Sequence, residues 1–226
     1  MEFLAHIVAP LNHVLFKFGA DDVTWAELLG FITGIWCVWL TVKAKVLNFP
    51  VGLANAFFFL VLFLAAGLYA DSALQIVFFI LGVAGWWQWL HAGTAKIRPT
   101  TRATTKELAL LVAFVIATTA ALFWLLIIVH DIAPFFDALT TALSLAAQWL
   151  LNYKKIQNWW FWIVADLIYI PLYAYKTLWL TAIVYVAFLA LCFLGLAAWK
   201  RDLAEAQATA GEAPEPAAFE PAEIVK

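Results

Sequence analysis

Residues 148–166, QWLLNYKKIQNWWFWIVAD, hold two lysines, four amides and four tryptophans in nineteen positions. The stretch closes one apolar run and opens the next, with Lys154 and Lys155 between them. Slid back by 110 residues without a gap, it lies on a stretch of the same kind. Trp149 then meets Trp39, Leu150 meets Leu40, Lys155 meets Lys45 and Asn158 meets Asn48. The same offset pairs Leu68 with Leu178, Phe78 with Phe188, Gly85 with Gly195 and Trp89 with Trp199. In so apolar a chain, matches of Leu and Phe are cheap. Matches of Trp, Asn, Lys and Gly at one fixed offset are not, so the offset reads as an internal repeat.

The chain has 226 residues, of which 66% are hydrophobic and 12% charged, and its mean hydropathy is +0.92. A soluble domain of this size could not cover its surface with that balance. Seven apolar runs stand at 25–43, 49–67, 70–92, 107–130, 134–153, 157–175 and 178–199. At about 1.5 Å rise per residue, each is long enough to cross a hydrocarbon core of about 30 Å. The offset carries the first three runs onto the last three and leaves the fourth as a linker. One crossing by the linker gives both triplets the same orientation, which makes the repeat parallel, about an axis along the membrane normal. The expected fold is therefore an all-α membrane protein whose seven transmembrane helices form two parallel three-helix repeats joined by a linker helix (3+1+3). The expected segments are an amphipathic, interface-lying stretch at 1–24, the first repeat at 25–92, a basic loop and linker helix at 93–133, the second repeat at 134–199, and a disordered tail at 200–226. The Ala-, Pro- and Glu-rich stretch from Leu203 onward has no apolar period.

Basic residues orient the chain. Eleven fall on one side: Lys43, Lys45, Lys96, Arg98, Arg102, Lys106, Lys154, Lys155, Lys200, Arg201 and Lys226. The other side has two, Lys17 and Lys176. The expectation is an N-terminus outside and a C-terminus in the cytoplasm. Cys37 and Cys192 lie inside apolar runs, read as small core hydrophobes, and have no disulfide or zinc spacing.

Polar residues at membrane depth point to function. Asp166 sits near the middle of the sixth run, where a carboxylate costs about 2.5–3.5 kcal/mol on insertion scales. Trp159, Trp162, Asp166 and Tyr169 follow at i, i+3, i+7 and i+10, one helical stripe. Trp160 is about 100° away from Trp159 on a helix and fits a lipid-facing belt. Pro171 should kink this helix or free a carbonyl. The second run carries Asn48 and Asn55 on one face, the fifth carries Ser144, Gln148 and Asn152, and the third carries Gln75 and Gln88. Amides of this kind also glue transmembrane helices, at about 0.6 kcal/mol each on average. With Asp166 of the sixth run and Tyr185 of the seventh, the repeat partner of Gln75, the set converges from five helices and reads as the lining of a cavity. Aromatic faces favour flat rings and cations, neutral amides suit hydroxyls and carboxamides, and the lack of mid-membrane Arg or Lys disfavours phosphate. The expected ligand is a small, unphosphorylated, aromatic glycoside or amine, either cationic or neutral.

The chain resembles the PnuC family of vitamin B3 transporters, relatives of the SWEET sugar carriers. The resemblance runs through all seven helices. It rests on NFPVGLANA at 48–56, GLYADSALQI at 67–76, GWWQWL at 85–90 and the stretch at 148–166, where Trp159-x-x-Trp162 matches the family's WxxW signature. It implies a bacterial inner-membrane transporter that takes up nicotinamide riboside by facilitated diffusion. It also implies a homotrimer and trapping of the riboside by a cytoplasmic kinase. The substrate-binding set expected here is Trp159, Trp162, Gln148, Asn152, Asn158, Asn48, Asn55, Gln88, Asp166 and Tyr169. The tryptophan pair and neighbouring amides follow the resemblance; Asp166 and Tyr169 come from depth alone.

Other classes fit less well. A carrier for thiamine, riboflavin or a sugar on the same scaffold is the alternative. A retinal photoreceptor needs a mid-membrane lysine, and the seventh run has none before Lys200. An enzyme needs a nucleophile–base pair, metal spacing or a Gly-rich phosphate loop, and none is evident. No cofactor, metal or nucleic acid is expected.

Overall fold

Long apolar segments in lipid must satisfy their own backbone groups, and helices do so within one segment. The computed structural model describes residues 9–18, 21–65, 69–91, 98–130 and 132–211. The described residues contain seven α-helices: α1 Trp25–Val42, α2 Asn48–Ala65, α3 Tyr69–Leu90, α4 Thr105–Ile128, α5 Pro134–Asn152, α6 Asn158–Tyr175 and α7 Trp179–Gly211. Local chemistry starts several of them. The Thr24 hydroxyl accepts from the Glu27 N–H at the head of α1, and Thr104 with Glu107 forms a reciprocal capping box at the head of α4. Pro134 opens α5, where its missing N–H costs nothing.

Among the described residues, five helices are long and apolar enough to cross a membrane by length and composition: 25–42, 48–65, 71–90, 105–128 and 179–208. The expectation of seven spans is met by seven helices, but α5 and α6 fall outside this stricter set. The physical reason is their cargo. α5 carries Asp137, Thr140, Ser144, Gln148 and Asn152, and α6 carries Asn158, Asp166 and three tyrosines.

At its two ends the described chain has structure that the sequence reading left out. Over its described part, the segment expected to lie at the interface is a short 3-10 turn (Ala9–Asn12) and an antiparallel hairpin. The hairpin pairs β1 Val14–Phe18 with β2 Asp21–Thr24, so the described chain is not wholly helical. Val14, Phe16 and Phe18 are all exposed on β1; the register shifts between Val14 and Phe16, and beyond it Phe16 and Phe18 share one face. At the other end, α7 runs on to Gly211, so residues 200–211 are helical rather than a disordered tail. KRDLAEAQATA is rich in strong helix formers, and extending an existing helix avoids the cost of nucleation. Residues 212–226 lie outside the described residues.

Packing follows chain order: α1 on α2, α2 on α3, α4 on α5, α5 on α6 and α6 on α7. Two contacts break that order, α1 with α7 and α3 with α5. α4 buries only the stripe Leu111, Val115 and Thr119 and leaves Leu110, Ile116, Trp124 and Ile128 exposed. α5 buries the most polar and small residues, including Ala138, Ala142, Ala146 and Ala147, which let its neighbours approach closely.

Candidate functional site

The geometry begins with two turns. α1 ends in a Schellman motif, in which the Ala44 N–H donates to Thr41 O and the Lys45 N–H to Leu40 O, both at 2.9 Å. α5 ends the same way 110 residues later: Lys154 N–H to Leu151 O and Lys155 N–H to Leu150 O, both at 2.8 Å. The left-handed residue in each is not glycine: Ala44 has φ 48° and Lys154 has φ 50°. Beyond each turn an asparagine amide donates back to a lysine carbonyl, Asn48 to Lys45 and Asn158 to Lys155, at 2.7 Å in both. Both asparagines are buried. Their amino groups thus staple turns, while the carbonyl oxygen of Asn158 stays buried without a partner.

An aromatic cluster covers these turns. The Trp89 indole N–H donates to Leu151 O and the Trp199 indole N–H donates to Thr41 O, each at 3.1 Å. α3 is thereby clamped to the end of α5, and α7 to the end of α1. Phe49 meets Trp89 edge-on at 5.1 Å and 85°, and Trp159 meets Trp199 edge-on at 5.4 Å and 84°. Each ring sits where a glycine leaves room. A Cβ on Gly85 would overlap Phe49 and Asn152, and one on Gly195 would overlap the Trp159 indole. Trp159 is 1% exposed. It is a packed core residue in this conformation, not an open wall of a cavity, because α7 lays Gly195 and Trp199 over it. Its indole N–H is buried without a partner. Trp162 is partly buried and packs on the same cluster, while Trp160 is half exposed under the Lys200 ammonium.

The remaining expected residues divide. Gln148 donates to Asn152 Oδ1 at 2.9 Å, and Asn152 donates to Leu81 O at 2.8 Å, which ties α5 to α3. Gln88 keeps a buried amide oxygen without a partner. Asp166 is buried, and the Cys192 thiol donates to it at 3.4 Å. Cys192 belongs to the cluster that holds Trp159, so Asp166 borders the same group. Asn55 stands apart: its amide donates to Gly30 O at 2.6 Å and fastens α2 to α1. Tyr169 also stands apart, stacked with Tyr173 at 5.5 Å and tilted against Tyr185 at 4.6 Å, on the α5 side of α6. Two grooves lie elsewhere. One of about 200 Å³ is lined by apolar residues and Gln75; one of about 300 Å³ lies between the ends of α1 and α7 and includes Asp202 and Glu205.

Sequence reasoning missed Trp89, Trp199, Phe49 and Lys154 as members of this group. The signal was present for the tryptophans, since the offset pairs Trp89 with Trp199 and Gly85 with Gly195. Lys154 counted only as a marker of the basic side. In the structure it is buried, with its ammonium 5.1 Å from the Trp89 ring and 5.8 Å from the Trp199 ring. Burial holds this ammonium below the usual lysine range, and the negative charge of Asp202 works in the opposite direction.

Residues 24–201 match the family described as "Nicotinamide mononucleotide transporter". The chain belongs to that family. Among curated relatives, the Escherichia coli (strain K12) protein named "Nicotinamide riboside transporter PnuC" is 25% identical over 216 residues, covering 84% of this chain and 90% of the relative. A Neisseria mucosa protein of the same name is 25% identical over 175 residues, covering 73% of this chain and 64% of the relative. A solved structure, "Crystal structure of the Vitamin B3 transporter PnuC", superposes with a TM-score of 0.66 at 22% identity over 90% of each chain. That likeness concerns the fold, and it agrees with a family member built of long apolar helices.

Proposed function

We propose that this chain is a membrane transporter that takes up nicotinamide riboside by facilitated diffusion, at a site between two parallel three-helix repeats, 25–92 and 134–199, joined by the linker at 93–133. The observation that carries the proposal is a set of buried polar atoms without partners at one end of the bundle: Asn158 Oδ1, Trp159 Nε1 and Gln88 Oε1. Each such atom costs about 1–3 kcal/mol if nothing ever pairs with it. The riboside offers a carboxamide, ribose hydroxyls and a flat cationic ring, which match an amide acceptor, an indole donor and aromatic faces. Trp159, Trp162, Gln148, Asn152, Asn158, Gln88 and Asp166 form the proposed binding group, with Asn48, Asn55 and Tyr169 as outlying members. Movement of α7 off α6, both in the second triplet, would uncover Trp159, and this rearrangement within one repeat would accompany the rocking of one triplet against the other.

The family description speaks of the mononucleotide and the curated relatives of the riboside. The ten expected residues include no Arg or Lys, and the basic neighbour Lys154 turns its ammonium to the Trp89 and Trp199 rings, so the group favours the riboside over a phosphate. We place the N-terminus outside and the C-terminus in the cytoplasm of a bacterial inner membrane, on the basic-residue asymmetry. A homotrimer and trapping by a cytoplasmic riboside kinase complete the proposal. Calorimetry of the purified protein against nicotinamide riboside, its mononucleotide, nicotinamide, thiamine and a plain sugar tests it. Riboside binding with little response to the others is expected; tighter binding of thiamine or sugar would overturn the substrate and favour the alternative carrier. A reporter fused to the C-terminus should be active only in the cytoplasm.

A further inference from the structure

Lys154 combines backbone strain with a buried charge. It occupies the left-handed position of the α5 turn at φ 50°, and its side chain is turned into the aromatic cluster and is 7% exposed. Among the described residues no carboxylate lies within ion-pair distance of it. The turn itself does not require a lysine. The α1 turn has the same hydrogen bonds and nearly the same φ with Ala44 in that position. A non-glycine residue there is strained in either turn, and of the two only Lys154 adds the burial of a charge. What the ammonium gains is the pair Trp89 and Trp199, the two indoles that clamp the halves of the bundle together.

Aromatic faces that hold an ammonium also hold other organic cations. Trp199 further contacts Trp159 edge-on, so the pair adjoins the group proposed for the riboside. We infer that Trp89 and Trp199 form a second cation station at the Lys154 end of the pathway, occupied in the closed conformation by the Lys154 ammonium and taken over by the pyridinium ring of the substrate in transit. The displaced ammonium has a place to go. Asp202 lies three residues beyond Trp199 on α7, is exposed, and lines the adjacent groove with Glu205, Lys43 and Arg201. Lys154 is then a tethered competitor. It closes the station when empty and selects for positively charged ligands strong enough to displace it. This inference rests on the riboside reading above.

The test compares the parent protein with Lys154→Ala, which the α1 turn shows to be compatible with the backbone, and Lys154→Arg, which keeps the charge. Two probes are titrated by calorimetry: cationic nicotinamide riboside and its reduced, uncharged form. Lys154→Ala should bind the cationic riboside roughly five- to tenfold more tightly than the parent, with no change for the uncharged form, and Lys154→Arg should resemble the parent. Equal changes for both probes would reduce Lys154 to a structural role, and unchanged affinity for the cation in Lys154→Ala would likewise overturn the inference. A parent protein that binds neither probe overturns both this inference and the riboside reading, whereas binding without charge discrimination overturns this inference alone.

Discussion

Replacing Trp199 with Phe removes one clamp between α7 and the end of α1. The lost indole–carbonyl bond contributes about 1 kcal/mol net. The Thr41 carbonyl is not left bare, because the Ala44 N–H also reaches it at 2.9 Å, so the penalty for an orphaned acceptor is small. Exchanging an indole for a benzene ring leaves a gap of roughly 40 Å³, worth about 1 kcal/mol at ~24 cal/mol per Å³. The sum is about 2 kcal/mol, or a fall in Tm of about 4–8 °C for a chain of this size. Trp89→Phe should cost the same within error. Its bond to Leu151 O is also 3.1 Å, and the Lys154 N–H shares that carbonyl at 2.8 Å. The double variant should depart from additivity by 0.5 kcal/mol or more in either direction, because the two rings touch at 6.1 Å and share Lys154. Thermal unfolding of the detergent-solubilised protein measures all three, with half-exposed Trp160→Phe as the control. If the clamp variants lose no more than the control, the clamps contribute nothing and the cross-packing described above has been misread.

Trp159→Phe should separate folding from binding. The residue at the same place in the first half is Phe49, in a nearly identical edge-on contact, and the change removes a buried N–H without a partner. Tm should hold or rise, while riboside affinity falls about fivefold for one lost hydrogen bond; equal affinity in calorimetry would show that the indole N–H never meets the ligand, and Trp160→Ala should be silent. Gly195→Ala should lower stability by about 1–3 kcal/mol, since the new methyl overlaps the Trp159 ring, and a Tm equal to the parent's would contradict that packing. For pH, the Lys154 ammonium is held below the lysine value of 10.5, so the unfolded chain binds its proton more readily than the folded one. Stability from this group therefore rises as pH climbs from the depressed value toward 10.5. Urea titrations of the parent should show that rise relative to Lys154→Met, and parallel pH profiles would refute it.

The helices were legible because their signal is local. Apolar length, capping pairs such as Thr104 with Glu107, and a break at Lys154 and Lys155 are all readable within a few residues. The helical stretch past Trp199 was not, because Ala and Glu fit both a polar tail and the continuation of a helix. The site was legible in part. Of the stripe Trp159, Trp162, Asp166 and Tyr169, the first three gather at one cluster while Tyr169 packs in another, and Trp160 is half exposed. The amides were harder, since an asparagine that staples a turn and one that awaits a ligand look alike in sequence; Asn158 does the first with its nitrogen and leaves its oxygen free.

By itself the sequence determined a chain of seven membrane-scale helices, a repeated pattern of Trp, Asn, Lys and Gly, and the face of α6 that turns inward. Only the tertiary structure decided what that face meets. Trp89 reaches a carbonyl 62 residues away and Trp199 one 158 residues away, and no periodicity along one helix encodes the neighbour it will find. The same holds for Lys154. As a letter it marks the basic side, but a left-handed turn and two indoles brought together from α3 and α7 make it a buried cation. Burial and partnership are properties of several segments at once, and they arise only when those segments pack.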